Sequence, residues 1–339
     1  MLIRPVSNAR KLLGPLLKDV SRSFYLTLRV LPRKIRPQIG LAYLLARTTD
    51  TIADTELVPL DRRLAALNEL RKRIQNTSES RLEFGDLAEN QGVAAEKLLL
   101  NRCEEALSIL QTFSVADQKL VREVLQTITG GQELDLQRFS SASAENIVAL
   151  KTDAELDDYT YRVAGSVGEF WTKMCRQHLF PQAKLDDESL IANGVRFGKG
   201  LQLVNILRDL AADLRQGRCY FPDDVLLSAG LAPRDLLDPA SAYRFRPAYD
   251  SYLDKAEKHL AAGWTYTNSL PRSEIRVRLA CAWPILIGAE TLKLLGQCNP
   301  IEAKAVVKVT RSEVRGLITR SILYYPFRHR WESMVPLRG

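Results

Sequence analysis

Apolar residues recur at steps of three and four along most of this chain, and this periodicity constrains the fold more than any other feature. Clear examples are EKLLLNRCEEALSILQTF (96–113), DQKLVREVLQTITGGQELDL (117–136) and YDSYLDKAEKHLAAGWTYTNSL (249–270). Residues at that spacing lie on one face of an α-helix. The alternating pattern of β-strands is nearly absent, and no internal repeat is visible. The sequence therefore predicts an all-α fold of many packed helices.

The chain has 339 residues, which is enough for one large core or for two domains. Segments rich in Gly, Pro and polar residues interrupt the helical pattern at 31–37, 76–92, 181–186, 217–247 and 296–300. None of these segments is long enough to serve as a linker between domains. We therefore predict a single domain over residues 1–339.

Composition excludes several functional classes. The five cysteines form no CxxC pair, which favours a reduced, cytoplasmic setting. Only three histidines are present, so a zinc site or a His-dependent catalytic triad has little scope. The longest apolar run, LACAWPILIGA (279–289), is too short to span a bilayer, which needs about 20 residues. The formal net charge of +8 suits an anionic ligand or a membrane surface, and no nucleic-acid partner is predicted.

Two pairs of aspartates stand out because each pair is spaced by four residues on an otherwise apolar helix pattern. Asp50 and Asp54 form the first pair, and Asp209 and Asp213 form the second. Residues i and i+4 share a helix face, so two carboxylates there repel each other. Asn205 extends the polar stripe of the second pair by one further turn. If the two helices face each other, up to four carboxylates converge on one cavity.

Such carboxylates are suitable ligands for Mg²⁺, which binds a few carboxylates, keeps waters and completes its shell with substrate phosphates. Arg47 precedes the first pair, Arg208 adjoins the second, and Arg22 lies near the N-terminus. Guanidinium groups bind phosphate oxygens well, so the pattern predicts a diphosphate site. The alternative is that each pair is a solvated helix face. Two such pairs, each with an adjacent arginine, favour the diphosphate site.

Four segments together resemble the squalene/phytoene synthase family, in that family's order. They are SRSF (21–24), YLLARTTDTIAD (43–54), YTYRVAGSVG (159–168) and NILRDLAAD (205–213). The resemblance runs from about Ser21 to Arg315 and leaves residues 316–339 as a C-terminal tail. CAWPILIGAETL (281–292) and VVKVTRS (306–312) resemble segments of the squalene synthase branch.

This resemblance implies a class I isoprenoid synthase fold, a helical bundle around a central cavity. It also implies that two farnesyl diphosphates condense to presqualene diphosphate, which NADPH then reduces to squalene. The metal and diphosphate positions of the family correspond here to Asp50, Asp54, Asn205, Asp209 and Asp213 for Mg²⁺, and to Arg22, Ser23, Arg47 and Arg208 for diphosphate. Tyr43 and Tyr159 correspond to aromatic positions near the reacting carbons, with Tyr159 implicated in proton transfer, and Gln202 corresponds to a pocket glutamine. The aromatic faces of Phe24 and Tyr43 can stabilise a farnesyl cation. Lys308 and Arg311 correspond to the NADPH-binding cations, and Gly165 and Gly168 are expected to allow close helix packing.

Three alternatives remain open. A dehydrosqualene or phytoene synthase would share the first half-reaction without the hydride step, and Lys308 and Arg311 argue against it. The VVKVTRS segment nevertheless carries one positive charge fewer than the family pattern, and Ala280 stands where an aromatic residue is frequent. A class I terpene cyclase fits less well, because its second metal motif differs from DxxxD. A catalytically inactive scaffold protein should have lost carboxylates or arginines, and all of them are present.

The tail places aromatic residues among arginines, in ITRSILYYPFRHRWESMVPLRG (318–339). Such a mixture suits the headgroup layer of a membrane, so one interpretation is peripheral contact with the inner face of the membrane. The alternative interpretation is that Tyr324, Tyr325, Phe327 and Trp331 cap the helical core. The sequence leaves the oligomeric state open.

Overall fold

The computed structural model describes residues 12–21, 24–302 and 307–335, and it confirms the predicted all-α class. The first helices are α1 (Leu17–Ser21), α2 (Tyr25–Val30), α3 (Arg36–Ala53), α4 (Leu60–Ile74), α5 (Gly85–Glu89), α6 (Ala94–Asn101), α7 (Cys103–Leu110) and α8 (Val115–Arg138). The later helices are α9 (Asp153–Thr160), α10 (Ser166–His178), α11 (Asp187–Arg215), α12 (Asp223–Ser228), α13 (Ala242–Ser269), α14 (Ile275–Leu295), α15 (Arg311–Tyr324) and α16 (Arg328–Glu332). Within the described residues, β1 (Val148–Ala149) and β2 (Arg218–Cys219) are the only strands, and they pair in parallel.

The chain forms two compact units, residues 1–137 with 173–181, and residues 138–172 with 182–339. The prediction of a single domain over 1–339 stays a prediction. No helix among the described residues combines the length and the apolarity that crossing a membrane requires.

In the first unit, most residues of helix α3 are buried and none is fully exposed, although the helix carries several polar residues. Leu41, Leu44 and Leu45 are fully buried. Thr48 is also buried, and its hydroxyl donates to the Leu44 carbonyl at 2.9 Å, which satisfies the polar group inside the helix. A buried hydroxyl without a partner would cost free energy, so this bond allows threonine on the core side. The helix ends at Ala53, and its C-cap residue, Asp54, is exposed.

In the second unit, helix α11 is the longest element, and it begins at a well-defined cap. The side chain of Asp186 accepts a hydrogen bond from the backbone N–H of Ser189, as expected for an N-cap aspartate. The GKG sequence at 198–200 lies inside this helix, so it forms no phosphate-binding loop. A π-helical turn, Tyr161–Gly165, joins α9 to α10 within the YTYRVAGSVG segment.

Glycines let the backbones of α10 and α11 approach each other, as predicted for this segment. A Cβ atom on Gly168 would lie 1.9 Å from the carbonyl oxygen of Gly194, and one on Gly198 would lie 2.1 Å from that of Ala164. Both distances are far below van der Waals contact, and backbone atoms cannot rotate away. Only glycine therefore permits this packing, which fixes α11 against the turn that carries Tyr161.

The tail is partly core and partly surface. Tyr325 is 8% and Trp331 is 2% exposed, and the Trp331 ring stacks on that of Trp264 with centroids 5.2 Å apart. The core-capping interpretation therefore holds for these two residues. Phe327 is 58% exposed, and peripheral membrane contact stays a prediction.

Gly168→Ala tests the close backbone approach. We expect it to lower the free energy of unfolding by at least about 2 kcal/mol, because overpacking against a backbone oxygen cannot be relieved by a rotamer change. Gly316→Ala is the matched control, since nothing lies within 4 Å of its added Cβ. That control should be neutral or stabilising by up to about 1 kcal/mol, because alanine favours helix. Urea denaturation measures both, and equal stability of Gly168→Ala and wild type would contradict the packing argument.

Candidate active site

The first acidic pair lies at the carboxyl end of α3. Asp50 is in the last turn, and Asp54 is the C-cap, whose backbone N–H donates to the Asp50 carbonyl at 2.8 Å. The helix dipole places partial negative charge at this end, where a carboxylate is unfavourable and a cation is favourable. Two carboxylates at such a position therefore form a local site for positive charge.

Three side chains organise Asp50. The amide of Gln132, on α8, donates to one carboxylate oxygen, and an Arg47 Nη atom lies 3.8 Å from the other. Arg47 is held in turn by Glu96, at 2.5 Å. The predicted diphosphate-binding arginine of this motif is thus already fixed in place by a carboxylate of helix α6.

Burial raises the pKa of Asp50 to about 7, and the neighbouring carboxylate of Asp54 acts in the same direction. Arg47 and the hydrogen bond from Gln132 oppose this rise. The Asp50 side chain is 45% exposed, so water still reaches the carboxylate and moderates the effect. A cation that binds beside Asp50 would favour the ionised carboxylate and oppose this rise in pKa.

The second acidic pair lies in the last two turns of α11, again at the negative end of a helix. Arg208 forms a two-pronged ion pair with Asp209, with distances of 2.9 and 2.5 Å. This hydrogen bond to Asp209 raises the pKa of Arg208, and Asp213 also raises it, against the effect of burial. Gln202, Asn205 and both aspartates are half-buried along one stripe of the helix, as the four-residue spacing predicted.

A cavity of about 380 Å³ opens beside the second pair, and we call it the Asp209 cavity. Its wall includes Arg208, Asp209, Arg215, Tyr249, Cys298 and Val307. Val307 directly precedes Lys308, the first of the two predicted NADPH-binding cations. Lys308 is exposed, and Arg311 is the exposed first residue of α15. The VVKVTRS segment and the second acidic motif therefore meet at one cavity.

The three predicted aromatic residues each stack on another ring: two of them on each other in the first unit, and the third on Tyr220 in the second. The rings of Phe24 and Tyr43 stack with centroids 5.2 Å apart. Tyr159 stacks on Tyr220 at 4.7 Å, and the Gln202 amide lies 3.5 Å from the Tyr159 hydroxyl. The structure thus brings Tyr159 and Gln202 together, as expected if both line one pocket. Arg22 and Ser23 lie outside the described residues.

Each acidic pair suits Mg²⁺, which is usually bound by one or two carboxylates and completes its shell with waters and phosphate oxygens. No group of three or more His, Cys, Asp or Glu side chains arranged for a metal occurs in the described part of the chain. The positions at the negative helix ends and the raised pKa of Asp50 both fit a cation there. The bound metal would thus depend on phosphate oxygens as further ligands.

Sequence reasoning missed Gln132, Glu96 and Tyr220, which contact predicted site residues directly. Gln132 had a detectable signal, because it lies between Ile128 and Leu136 on the apolar face of α8, where a polar residue is unexpected. It is only 7% exposed. Glu96 and Tyr220 had no such signal, because an acidic residue is ordinary in the first turn of a helix and a buried aromatic residue is ordinary in a core.

The family model described as squalene/phytoene synthase matches residues 17–313. This chain belongs to the squalene/phytoene synthase family. Enzymes of this family act on prenyl diphosphates, so the chain belongs to a family of prenyl-transferring enzymes.

Two curated relatives and one solved structure illustrate the similarity. Squalene synthase of Schizosaccharomyces pombe is 26% identical over 313 residues, which cover 91% of this chain and 64% of that protein. Presqualene diphosphate synthase of Sinorhizobium fredii is 30% identical over 295 residues, covering 86% of this chain and 91% of the relative. The solved complex of TcSQS with the ligand BPH1237 has a TM-score of 0.75 at 21% identity and covers 97% of this chain and 96% of its own.

These similarities confirm the predicted family and the helical isoprenoid synthase fold. The chain spans just under two thirds of the Schizosaccharomyces pombe relative, so that protein's whole activity is not transferred to it.

Asp50 should make stability depend on pH in Mg²⁺-free protein. A carboxyl whose folded-state pKa is raised holds its proton more tightly when folded. Its contribution to stability is therefore present below its ordinary pKa of 3.8 and is lost as pH rises toward about 7. We expect Asp50→Asn to gain stability relative to wild type across that interval, as measured by thermal unfolding with a chelator present. Asp254→Asn, on an exposed face of α13, is the control. If the difference in Tm between wild type and Asp50→Asn stays constant with pH, the pKa of Asp50 is not raised in the folded protein.

Proposed function

We propose that this protein is a squalene synthase that joins two farnesyl diphosphates head to head and reduces the product in an NADPH-dependent step. The observation that carries the proposal is the meeting of two motifs at the Asp209 cavity. Val307 of the VVKVTRS segment lines the same cavity as Arg208 and Asp209. A cation-bearing segment typical of the reducing branch thus lies beside a candidate diphosphate site.

The carboxylate pairs would hold Mg²⁺, which when bound acts as a Lewis acid toward the departing diphosphate. Asp50 and Asp54 would bind it in the first unit, and Asp209 and Asp213, with Asn205, in the second. The present ion pairs of Arg47 with Glu96 and of Arg208 with Asp209 keep both guanidinium groups in place before substrate arrives. Substrate phosphate would take over part of their hydrogen-bonding capacity, because guanidinium binds phosphate in a two-pronged manner.

Aromatic side chains would protect the reacting carbons. A farnesyl cation that meets water is quenched, so the surroundings must be apolar and closed. The faces of Phe24 and Tyr43 can each stabilise such a cation by about 1–2 kcal/mol when desolvated. Tyr159, with its hydroxyl near the Gln202 amide, is positioned to exchange a proton with the substrate or product.

Lys308 and Arg311 would bind the phosphate groups of NADPH, which when bound supplies the hydride. Arg311 begins α15, where the free backbone N–H groups of the helix also favour an anion. Thr310 and Glu313 close this helix end with a capping box, so phosphate would contact mainly the exposed side chains. NADPH, rather than NADH, is expected because two cations suit the additional 2′-phosphate.

An enzyme that stops before the hydride step is the second candidate. The VVKVTRS segment has two cations where the family pattern has three, and the Sinorhizobium fredii relative is named for presqualene diphosphate as its product. A dehydrosqualene or phytoene synthase would also fit the two acidic motifs. Products formed with and without NADPH separate these candidates.

Asp50→Asn and Asp209→Asn should each lower Mg²⁺-dependent diphosphate release from farnesyl diphosphate by roughly a hundredfold or more. Losing one stabilising group for the leaving-group charge costs about 3 kcal/mol or more in comparable enzymes. Asp254→Asn should keep wild-type turnover, and circular dichroism confirms folding of each variant. Near-normal turnover of either active-site variant at saturating Mg²⁺ would refute the metal assignment.

Without NADPH, the protein should accumulate presqualene diphosphate or release dehydrosqualene and alcohols. Lys308→Ala and Arg311→Ala should raise the KM for NADPH by roughly tenfold, since each removes a charge-assisted hydrogen bond. Diphosphate release in the first half-reaction should be unchanged. Arg315→Ala, one turn further along α15 and exposed, is the matched control. Normal reduction of presqualene diphosphate by both alanine variants would place the cofactor elsewhere.

A further inference from the structure

A second cavity lies in the unit formed by residues 138–172 and 182–339, and none of its lining residues belongs to the acidic motifs. It has a volume of about 250 Å³, and we call it the Arg278 cavity. Its wall contains Asn268, Arg272 and Arg278 from the α13–α14 region, with Tyr325 and Trp331 from the tail. Nothing in the proposed squalene synthase chemistry uses these residues.

Arg278 is a buried cation without a counter-ion. It is 7% exposed, and no carboxylate in the described part of the chain forms an ion pair with it. One Nη atom donates to Asn268 at 2.7 Å, and the other makes a long contact of 3.4 Å with the Leu270 carbonyl. Its Nε is buried and has no hydrogen-bond partner among the described residues. A guanidinium has five N–H donors, so this one is left with unused capacity.

The surroundings reinforce the shortage of negative charge. The guanidinium lies over the rings of Tyr325 and Trp331, at 5.5 and 5.6 Å from their centroids, and these offer only weak compensation. Burial lowers the pKa of Arg278 most, and the nearby Arg272 also lowers it, while Tyr325 and Glu332 act in the opposite direction without cancelling the shift. A buried charge normally has a paired opposite charge. Here no carboxylate of the described residues lies within ion-pair distance, and Glu332 of the same cavity wall is paired with Arg328 instead.

The rim of the cavity adds more positive than negative charge. Arg272 is exposed, and it donates to the carbonyl of Pro326 at 2.7 Å. Arg328 and Glu332 form an ion pair at 2.8 Å, so Glu332, the one acidic residue in the wall, is already neutralised. Arg272 and Arg278 therefore leave a net excess of two positive charges. A space of 250 Å³ accommodates a tetrahedral oxyanion and several waters, which occupy about 30 Å³ each.

We infer that the Arg278 cavity binds a phosphate group, with Arg272 and Arg278 as its principal donors. Guanidinium pairs are well suited to phosphate oxygens, because their N–H groups donate in a planar fork. The phosphate can belong to a soluble phosphate ester or to a lipid headgroup. Two apolar side chains close in sequence to Tyr325 are exposed, Leu323 at 61% and Phe327 at 58%. Exposed apolar side chains beside arginines suit a membrane surface, so the lipid headgroup is tested separately.

The first arm measures thermal stabilisation by sodium phosphate against sodium chloride at equal ionic strength, with a chelator present. Ligand that binds only the folded state raises the Tm. We expect wild type to respond, and Arg272→Gln and Arg278→Lys to show at least about tenfold weaker apparent affinity. Arg278→Lys keeps the charge and removes the fork. Arg272→Gln changes an exposed rim residue, so it remains informative if Arg278→Lys does not fold.

Two further variants identify where phosphate binds. Arg208→Gln reports on binding beside the second acidic pair, and Arg315→Gln controls for the loss of one exposed positive charge. Arg315→Gln should respond to phosphate as wild type does, and Arg208→Gln should keep the part of the response that Arg272→Gln and Arg278→Lys lose. Loss of the response in Arg208→Gln alone would overturn the inference, because phosphate would then occupy the acidic-motif site. Equal phosphate responses in wild type, Arg272→Gln and Arg278→Lys would also overturn the inference. So would the absence of any phosphate response in wild type, if vesicle binding also proves independent of Arg272.

The second arm distinguishes the source of the phosphate. The full chain is sedimented with phosphatidylcholine vesicles that contain or lack phosphatidic acid. A lipid headgroup predicts binding to phosphatidic acid that both Arg272→Gln and Leu323→Ser weaken, while Leu323→Ser keeps its response to inorganic phosphate. A soluble ester predicts the inorganic phosphate response without vesicle binding. Vesicle binding that is insensitive to Arg272→Gln, without a phosphate response in wild type, would count against the cavity.

Discussion

Two helices of this protein end in carboxylates at positions where the helix itself already concentrates negative charge, and the candidate site depends on this unfavourable arrangement. Asp50 and Asp54 at the end of α3, and Asp209 and Asp213 at the end of α11, are each destabilised by the helix dipole and by each other. Such an arrangement is tolerable only if rigid surroundings hold it and a cation relieves it.

The surroundings supply that rigidity by different means in the two units. In the first, the core side of α3 is filled with leucines, and Gln132 and Glu96 fix the positions of Asp50 and Arg47. In the second, α11 is held by backbone contact, because Gly168 and Gly194 bring two helices closer than any side chain would allow. Both solutions orient carboxylates through residues that need not touch a ligand. Preorganisation of this kind means that little rearrangement is required when charge arrives.

The Arg278 cavity presents the opposite electrostatic problem. There the protein buries a cation against aromatic faces and gives it no ion-pair partner, whereas Arg47 and Arg208 each have a carboxylate partner. The contrast within one chain is informative. Arg47 and Arg208 are each paired with a carboxylate before any ligand binds, although the Nε of Arg47, like that of Arg278, is buried without a hydrogen-bond partner among the described residues. An internal ion pair neutralises Arg47 and Arg208, and an external anion would neutralise Arg278 of α14.

The sequence alone determined the helical class, the family, the four aspartates and the shared stripe of Gln202, Asn205, Asp209 and Asp213, because these follow from the 3.6-residue period and from local motifs. It also indicated that the glycines of YTYRVAGSVG serve close packing. Contacts between residues far apart in the chain were decided only by the tertiary structure. Gln132 lies 82 residues from Asp50, and Tyr220 lies 61 residues (220 − 159) from Tyr159, so no local pattern links them. The tail shows the same limit. Its alternation of aromatic residues and arginines was compatible with a membrane surface or with the core, and only the packing of Trp331 on Trp264 placed that ring inside, since burial depends on which distant surface is available to cover it.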